Sequence, residues 1–170
     1  PELPATILAN YCYNDMFFGC KSLTTAPELK AETLAESCYN SMFYGCTSLT
    51  EAPELPATTL AKSCYQSMFD LCTSLTEAPE LPATTLDSYC YNNMFNGCKK
   101  LQSVTIFATS GFDQSYCLRN WLNGAGTEAS SRTLTVANQA AYNAIVNTKY
   151  DGNSALPDIW QSGEGKATVI

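Results

Sequence analysis

Nine cysteines and no histidine set the chemical question for this 170-residue chain. Eight of them fall in pairs eight residues apart: Cys12 and Cys20, Cys38 and Cys46, Cys64 and Cys72, Cys90 and Cys98. Thiols so placed could ligate a metal, form disulfides or act as nucleophiles. Zinc favours CxxC-type pairs, often with His. Eight residues along a helix span about 12 Å, too far for one ion to hold both. The same ~12 Å exceeds the roughly 7 Å Cα limit for a disulfide, so pairing within one helix is excluded. Pairing between repeats stays open, although a column of four could join only two by two. A catalytic Cys needs His or another base to form its thiolate, and this chain has no His. The structural reading is that the thiols fill a core, since free Cys behaves as a small buried hydrophobe. No metal or other cofactor is expected.

The cysteines belong to a repeat. Met16, Met42, Met68 and Met94 recur at one fixed interval, each followed by Phe, and Leu23, Leu49, Leu75 and Leu101 keep the same interval. A fifth, degraded copy follows: SYCYNNMFNGC (88–98) returns as SYCLRNWLNGA (115–125), with Cys117 for Cys90, Trp121 for Met94 and Ala125 for Cys98. Copies decay toward the end of an array because the last unit must close it. Within one copy, Leu34, Cys38 and Met42 stand at i, i+4 and i+8, flanked by Ala35, Tyr39, Phe43 and Cys46. That stripe predicts a helix, with Thr33 and Glu36 as its capping box. Gly19, Gly45 and Gly97 are placed to end it in a left-handed residue, and Leu71 breaks that rule in the third copy. Leu101, Val104 and Ile106 predict a strand, which in earlier copies bends at Pro27, Pro53 and Pro79 because proline cannot donate to a ladder.

Composition narrows the partners. The net charge of −7 argues against nucleic acid and anionic membrane surfaces, which both need Lys and Arg. No run of 18 apolar residues is present to span a bilayer. Apolar residues make up 45%, enough for a core. No signal peptide is visible, and residue 1 falls inside a repeat, so a fragment of a longer protein is expected.

The stretch MFYGCTSLTEAPELPATTLA (42–61) resembles the BspA-like leucine-rich repeats of bacterial surface proteins. Phe43, Gly45, Cys46 and Leu49 match that family's repeat outright, while Cys38 and Met42 take its Ile and Ala places. The resemblance covers residues 1 to about 126. It implies a right-handed leucine-rich-repeat solenoid of about four and a half 26-residue repeats, each a short strand plus a helix (an α/β repeat fold).

Residues 127–170 do not repeat, and a C-terminal α+β cap is expected there. Leu134 and Val136 alternate as in a strand, Asn138 offers a helix N-cap, Asp151-Gly152 opens a turn, and ATVI could pair as a last strand. The N-terminal end has no such block, so an open end, covered in the parent protein, is expected.

Two groups of surface residues remain. Glu2, Glu28, Glu54 and Glu80 share one phase and Glu51 and Glu77 another. They read as a solvated rim, with no DxDxDG-type loop to support calcium. Tyr39 and its equivalents are expected half-buried. Phe18 and Tyr44 are expected to face outward because Asp70 and Asn96 share their phase. The polar residues beside the strand, Thr24, Thr25, Thr50, Glu51, Thr76, Glu77, Gln102 and Ser103, form the candidate binding face. The expected function is a non-enzymatic, adhesin-like module that binds a protein or glycan on a host or neighbouring cell. It would be extracellular or on the cell surface, and this fragment monomeric. The other reading is a spacer that presents another domain.

Overall fold

The computed structural model describes residues 3–170. The expected leucine-rich-repeat solenoid with a helix in each repeat does not form. Among the described residues there is one α-helix, α1 (Gln139–Asn147), and it lies outside the repeats. The strands are short: β1 (Ser103–Ile106), β2 (Thr133–Val136), β3 (Lys149–Tyr150), β4 (Asn153–Ser154) and β5 (Thr168–Val169).

A run of tight turns stands where the helices were expected. In the second copy the N–H groups of Cys38, Asn40, Met42, Tyr44 and Cys46 each donate to the carbonyl three residues back. The alternate N–H groups leave the copy altogether. Ser37, Tyr39, Ser41, Phe43 and Gly45 donate to the carbonyls of Lys62, Cys64, Gln66, Met68 and Asp70 in the third copy, at 2.8–3.0 Å. Such a ribbon requires a left-handed residue every fourth position. These are Ser37, Ser41 and Gly45 here, with φ of 54°, 53° and 68°. Each is the second central residue of a turn, the place where a type II turn needs positive φ. The pattern recurs at Ser63, Ser67 and Leu71, at Tyr89, Asn93 and Gly97, and at Tyr116, Asn120 and Gly124. Ser, Asn, Asp and Gly dominate these positions because short polar side chains or none tolerate that region best.

The capping box goes with the helix. Thr33 instead bridges Ile7 and Thr59, and Glu36 accepts from Lys62 Nζ at 2.8 Å. Parallel bridges also join Thr25 to Glu51, Glu51 to Glu77 and Glu77 to Ser103. Among the described residues of the repeats a continuous strand, β1, forms in the fourth copy alone, where Thr105 stands in place of the proline that interrupts the ladder earlier.

The interior is built from columns of like residues. Tyr13, Tyr39, Tyr65 and Tyr91 stack at 5.8–6.2 Å between ring centroids, and Phe17, Phe43, Phe69 and Phe95 at 5.5–5.7 Å. Met42, Met68 and Met94 are fully buried beside them. Tyr39, Tyr65 and Tyr91 are 1% exposed, not half-buried as expected, because each ring is enclosed within its column.

β1, β2 and β5 form a parallel sheet in that order, with Ser103 opposite Thr133 and Thr133 opposite Thr168. Asn138 caps α1 by accepting from the Ala141 N–H at 2.9 Å. β3 and β4 pair antiparallel around Asp151 and Gly152, both at positive φ, as a type I′ hairpin demands. Two indoles lock this block to the fifth copy. Trp121 Nε1 donates to the Ala155 carbonyl and Trp160 Nε1 to the Ala125 carbonyl, each at 3.0 Å. Arg132 donates to the carbonyls of Gly126, Ala129, Ile159 and Gly165. Gly126 is required here: a Cβ would come within 2.9 Å of both the Leu101 carbonyl and the Arg132 side chain.

Candidate functional site: an aligned threonine and glutamate face

The bridges that join the copies bring the sequence-predicted face together. Thr25, Glu51, Glu77 and Ser103 form one column, each beside the next at the spacing of paired strands, about 4.8 Å. Thr24, Thr50, Thr76 and Gln102 run alongside; the Thr50 N–H donates to the Thr24 carbonyl and the Gln102 N–H to the Thr76 carbonyl. Thr24, Thr25, Thr50, Glu51, Glu77 and Gln102 are exposed, and Thr76 and Ser103 are half-buried. Among the described residues no ion pair engages the Glu51 or Glu77 carboxylate. Two carboxylates side by side repel one another, and a partner that brings hydrogen-bond donors or positive charge would relieve that cost.

Sequence reasoning missed what lies beside this column. A groove of about 640 Å³ runs between the Ala-Pro-Glu segments that follow the first two ribbons, lined by Thr25, Pro27, Glu28, Glu51, Pro53 and Glu54. A further groove of about 340 Å³ continues it between Pro53, Glu54, Pro79 and Glu80. The signal was present in the repeated Ala-Pro-Glu, whose prolines cannot close the ladder and so leave a gap between copies. Glu28 pairs with Lys30 at 3.3 Å across exposed side chains. Glu2, the first member of that glutamate row, lies outside the described residues.

The cysteines play no part in this face. Cys38, Cys46, Cys64, Cys72, Cys90, Cys98 and Cys117 are buried, Cys12 and Cys20 are exposed, and all nine are free thiols. A separation of about 12 Å between paired thiols presupposed a helix, and it lapses with that helix. The thiols are instead lining groups that also make hydrogen bonds. Cys46, Cys72 and Cys98 donate from Sγ to the carbonyls of Phe17, Phe43 and Phe69 at 3.0–3.1 Å. Burial pushes the Cys38 and Cys46 thiols up to about 11 and the deeper ones higher, so they stay protonated and un-nucleophilic at neutral pH. Among the described residues no three His, Cys, Asp or Glu side chains are gathered as metal ligands would be.

One column expected to face outward does so only in part. Phe18 is 54% exposed and stacks on Tyr44 at 4.6 Å, but Asp70 in the same column is only 5% exposed. It accepts from Asn96 Nδ2 at 2.9 Å, and Asn96 Oδ1 accepts in turn from Asn123 Nδ2 at 3.0 Å. Burial raises the Asp70 carboxyl to about 6, against the opposing effect of the Asn96 hydrogen bond.

No protein-family model matches this chain, and no curated protein or solved structure matches it either.

Proposed function

We propose that the chain is a non-enzymatic binding module of a bacterial cell-surface or secreted protein, and that it holds a protein or glycan on the face running from Thr24 and Thr25 to Gln102 and Ser103. The observation that carries this reading is the in-register column Thr25–Glu51–Glu77–Ser103, exposed along most of its length and bordered by the proline-lined grooves. Repetition offers a partner the same polar groups at fixed intervals on a rigid support. Its chemistry favours hydrogen bonds and cationic groups over large aromatic anchors. The likeness of Phe43, Gly45, Cys46 and Leu49 to BspA-like surface repeats supports the cell-surface assignment at the level of residues alone.

The test is a screen of the chain against immobilised glycans and extracellular proteins, repeated with a Glu51→Lys, Glu77→Lys double variant. Both side chains are exposed, so the variant keeps its unfolding midpoint while losing at least about tenfold in affinity for the captured partner. Unchanged binding would remove this face from consideration. A second reading, a spacer that presents another domain, draws on the regular backbone hydrogen bonds that join the turn ribbons of successive copies. A spacer tolerates the double substitution and responds only to the number of repeats.

A further inference from the structure

The first copy is covered differently from every copy after it. Met16 is 48% exposed where Met42, Met68 and Met94 are fully buried. Cys12 and Cys20 are exposed where their equivalents are buried. Among the described residues Tyr13 and Phe17 begin their columns, each stacked on one ring face alone, against Tyr39 and Phe43.

The backbone shows what such a face can accept. The carbonyls of Cys38, Asn40 and Met42 receive N–H groups from the first copy. Their counterparts, the carbonyls of Cys12, Asn14 and Met16, receive none among the described residues. The turn edge of the first copy therefore offers acceptors without donors. A second molecule meeting it head-on would set carbonyls against carbonyls, a poor arrangement for buried polar groups. At the other end the closing block already packs on the fifth copy: the Leu118 N–H donates to the Tyr150 hydroxyl at 3.2 Å, and Trp121 Nε1 donates to the Ala155 carbonyl. What fits is a ribbon that supplies alternate N–H groups together with Met, Cys and aromatic side chains four residues apart.

We propose that this face is a docking surface for a further copy of the same 26-residue repeat, seated in the register that joins the first copy to the second. The argument is continuity with that existing interface, in which the same side-chain types and the same N–H to carbonyl polarity already meet.

Thiol labelling tests it. The chain is compared with a variant carrying a duplicate of residues 27–52 ahead of residue 1, and native-state iodoacetamide labelling is mapped by mass spectrometry. In the original chain Cys12 and Cys20 react while the buried thiols do not. In the extended chain Cys12 and Cys20 slow by about tenfold or more, toward rates set by local opening, and the cysteines of the added copy react instead. Adding Met16→Glu to the extended chain places a carboxylate in the docked face and restores the labelling of Cys12 and Cys20. Unchanged labelling on extension overturns the proposal, as does protection that survives Met16→Glu. Protection already present in the original chain, with a dimer seen by light scattering, assigns the face to a second molecule and overturns it too.

Discussion

Asp70 is the residue at which one side chain works against the fold. Its neighbours in the column are Tyr44 and Asn96, and its carboxyl is raised to about 6 by burial. The folded state thus holds this proton more tightly than the unfolded chain, whose Asp titrates near its ordinary value. Stability contributed by the protonated form is full at low pH and is lost as pH rises through about 4 to 6. Asp70→Asn removes the penalty and extends the Asn96–Asn123 amide column. We expect it to stabilise the protein by about 1–2 kcal/mol at pH 7.5, below the full linkage value because the site is partly solvated, and by almost nothing at pH 4. Urea titrations of both proteins at the two pH values check this; a gain independent of pH would show that the carboxylate is not the cause. The sequence could not reveal the burial of Asp70. A position occupied by Phe, Tyr, Asp and Asn in successive copies looks outward-facing, whereas here the asparagine of the next copy supplies the bond that admits a carboxylate.

The turn ribbon is the element where sequence reasoning and structure part. The apolar lining, the regular recurrence of the copies and the left-handed Gly19, Gly45 and Gly97 could all be read from the residues. The backbone between them could not, because an i, i+4, i+8 stripe serves both a helix and a ribbon of fours. A distinguishing sign was present. Cys38, Met42 and Cys46 fall at steps of four only, as do Ser37, Ser41 and Gly45, and a helical stripe mixes threes and fours. Steps of four drift by about 40° each on a helix of 3.6 residues per turn. The ribbon also makes a prediction at Leu71, which is left-handed at φ 60°, 39% exposed, and lays its side chain over Gly97. Glycine carries no Cβ penalty there, so Leu71→Gly should stabilise by about 1 kcal/mol, read as a rise in Tm. A fall in Tm would mean that the Leu71 contact with Gly97 outweighs the backbone strain.

At the scale of the whole molecule, the closing block holds the fifth copy through a few large side chains. Trp160 is fully buried and its indole N–H reaches the Ala125 carbonyl, at the position that holds Cys98 one copy earlier. The shorter Ala125 side chain and the bare Gly126 leave room for the ring. Trp160→Ala should cost about 3–5 kcal/mol in denaturant unfolding, and Trp160→Phe less, since it keeps much of the packing and gives up one hydrogen bond of about 1 kcal/mol. Equal losses in the two variants would contradict a packing role. The strand, the Asn138 cap and the Asp151-Gly152 turn of this block were legible because each is local chemistry. The grip of Trp160 and Arg132 joins residues far apart in sequence, which single-chain periodicity does not encode.

The ribbon of fours has the logic of a reading frame. Every second N–H serves the neighbouring copy and every fourth residue turns left-handed, so one residue inserted within 36–46 would exchange both roles for all that follow in that copy. The lining would rotate outward and the donors would face their own chain. Length should therefore vary only outside the ribbons, and the fourth-to-fifth junction follows this. Leu81 bridges Ile106 and Thr85 bridges Ser110, one residue short of the step that joins Glu51 to Glu77. Tyr91 nonetheless donates to Cys117, one residue beyond the step by which Tyr65 donates to Cys90. The slack is absorbed in the corner at 107–115, and the next ribbon resumes in phase at Tyr116, Asn120 and Gly124.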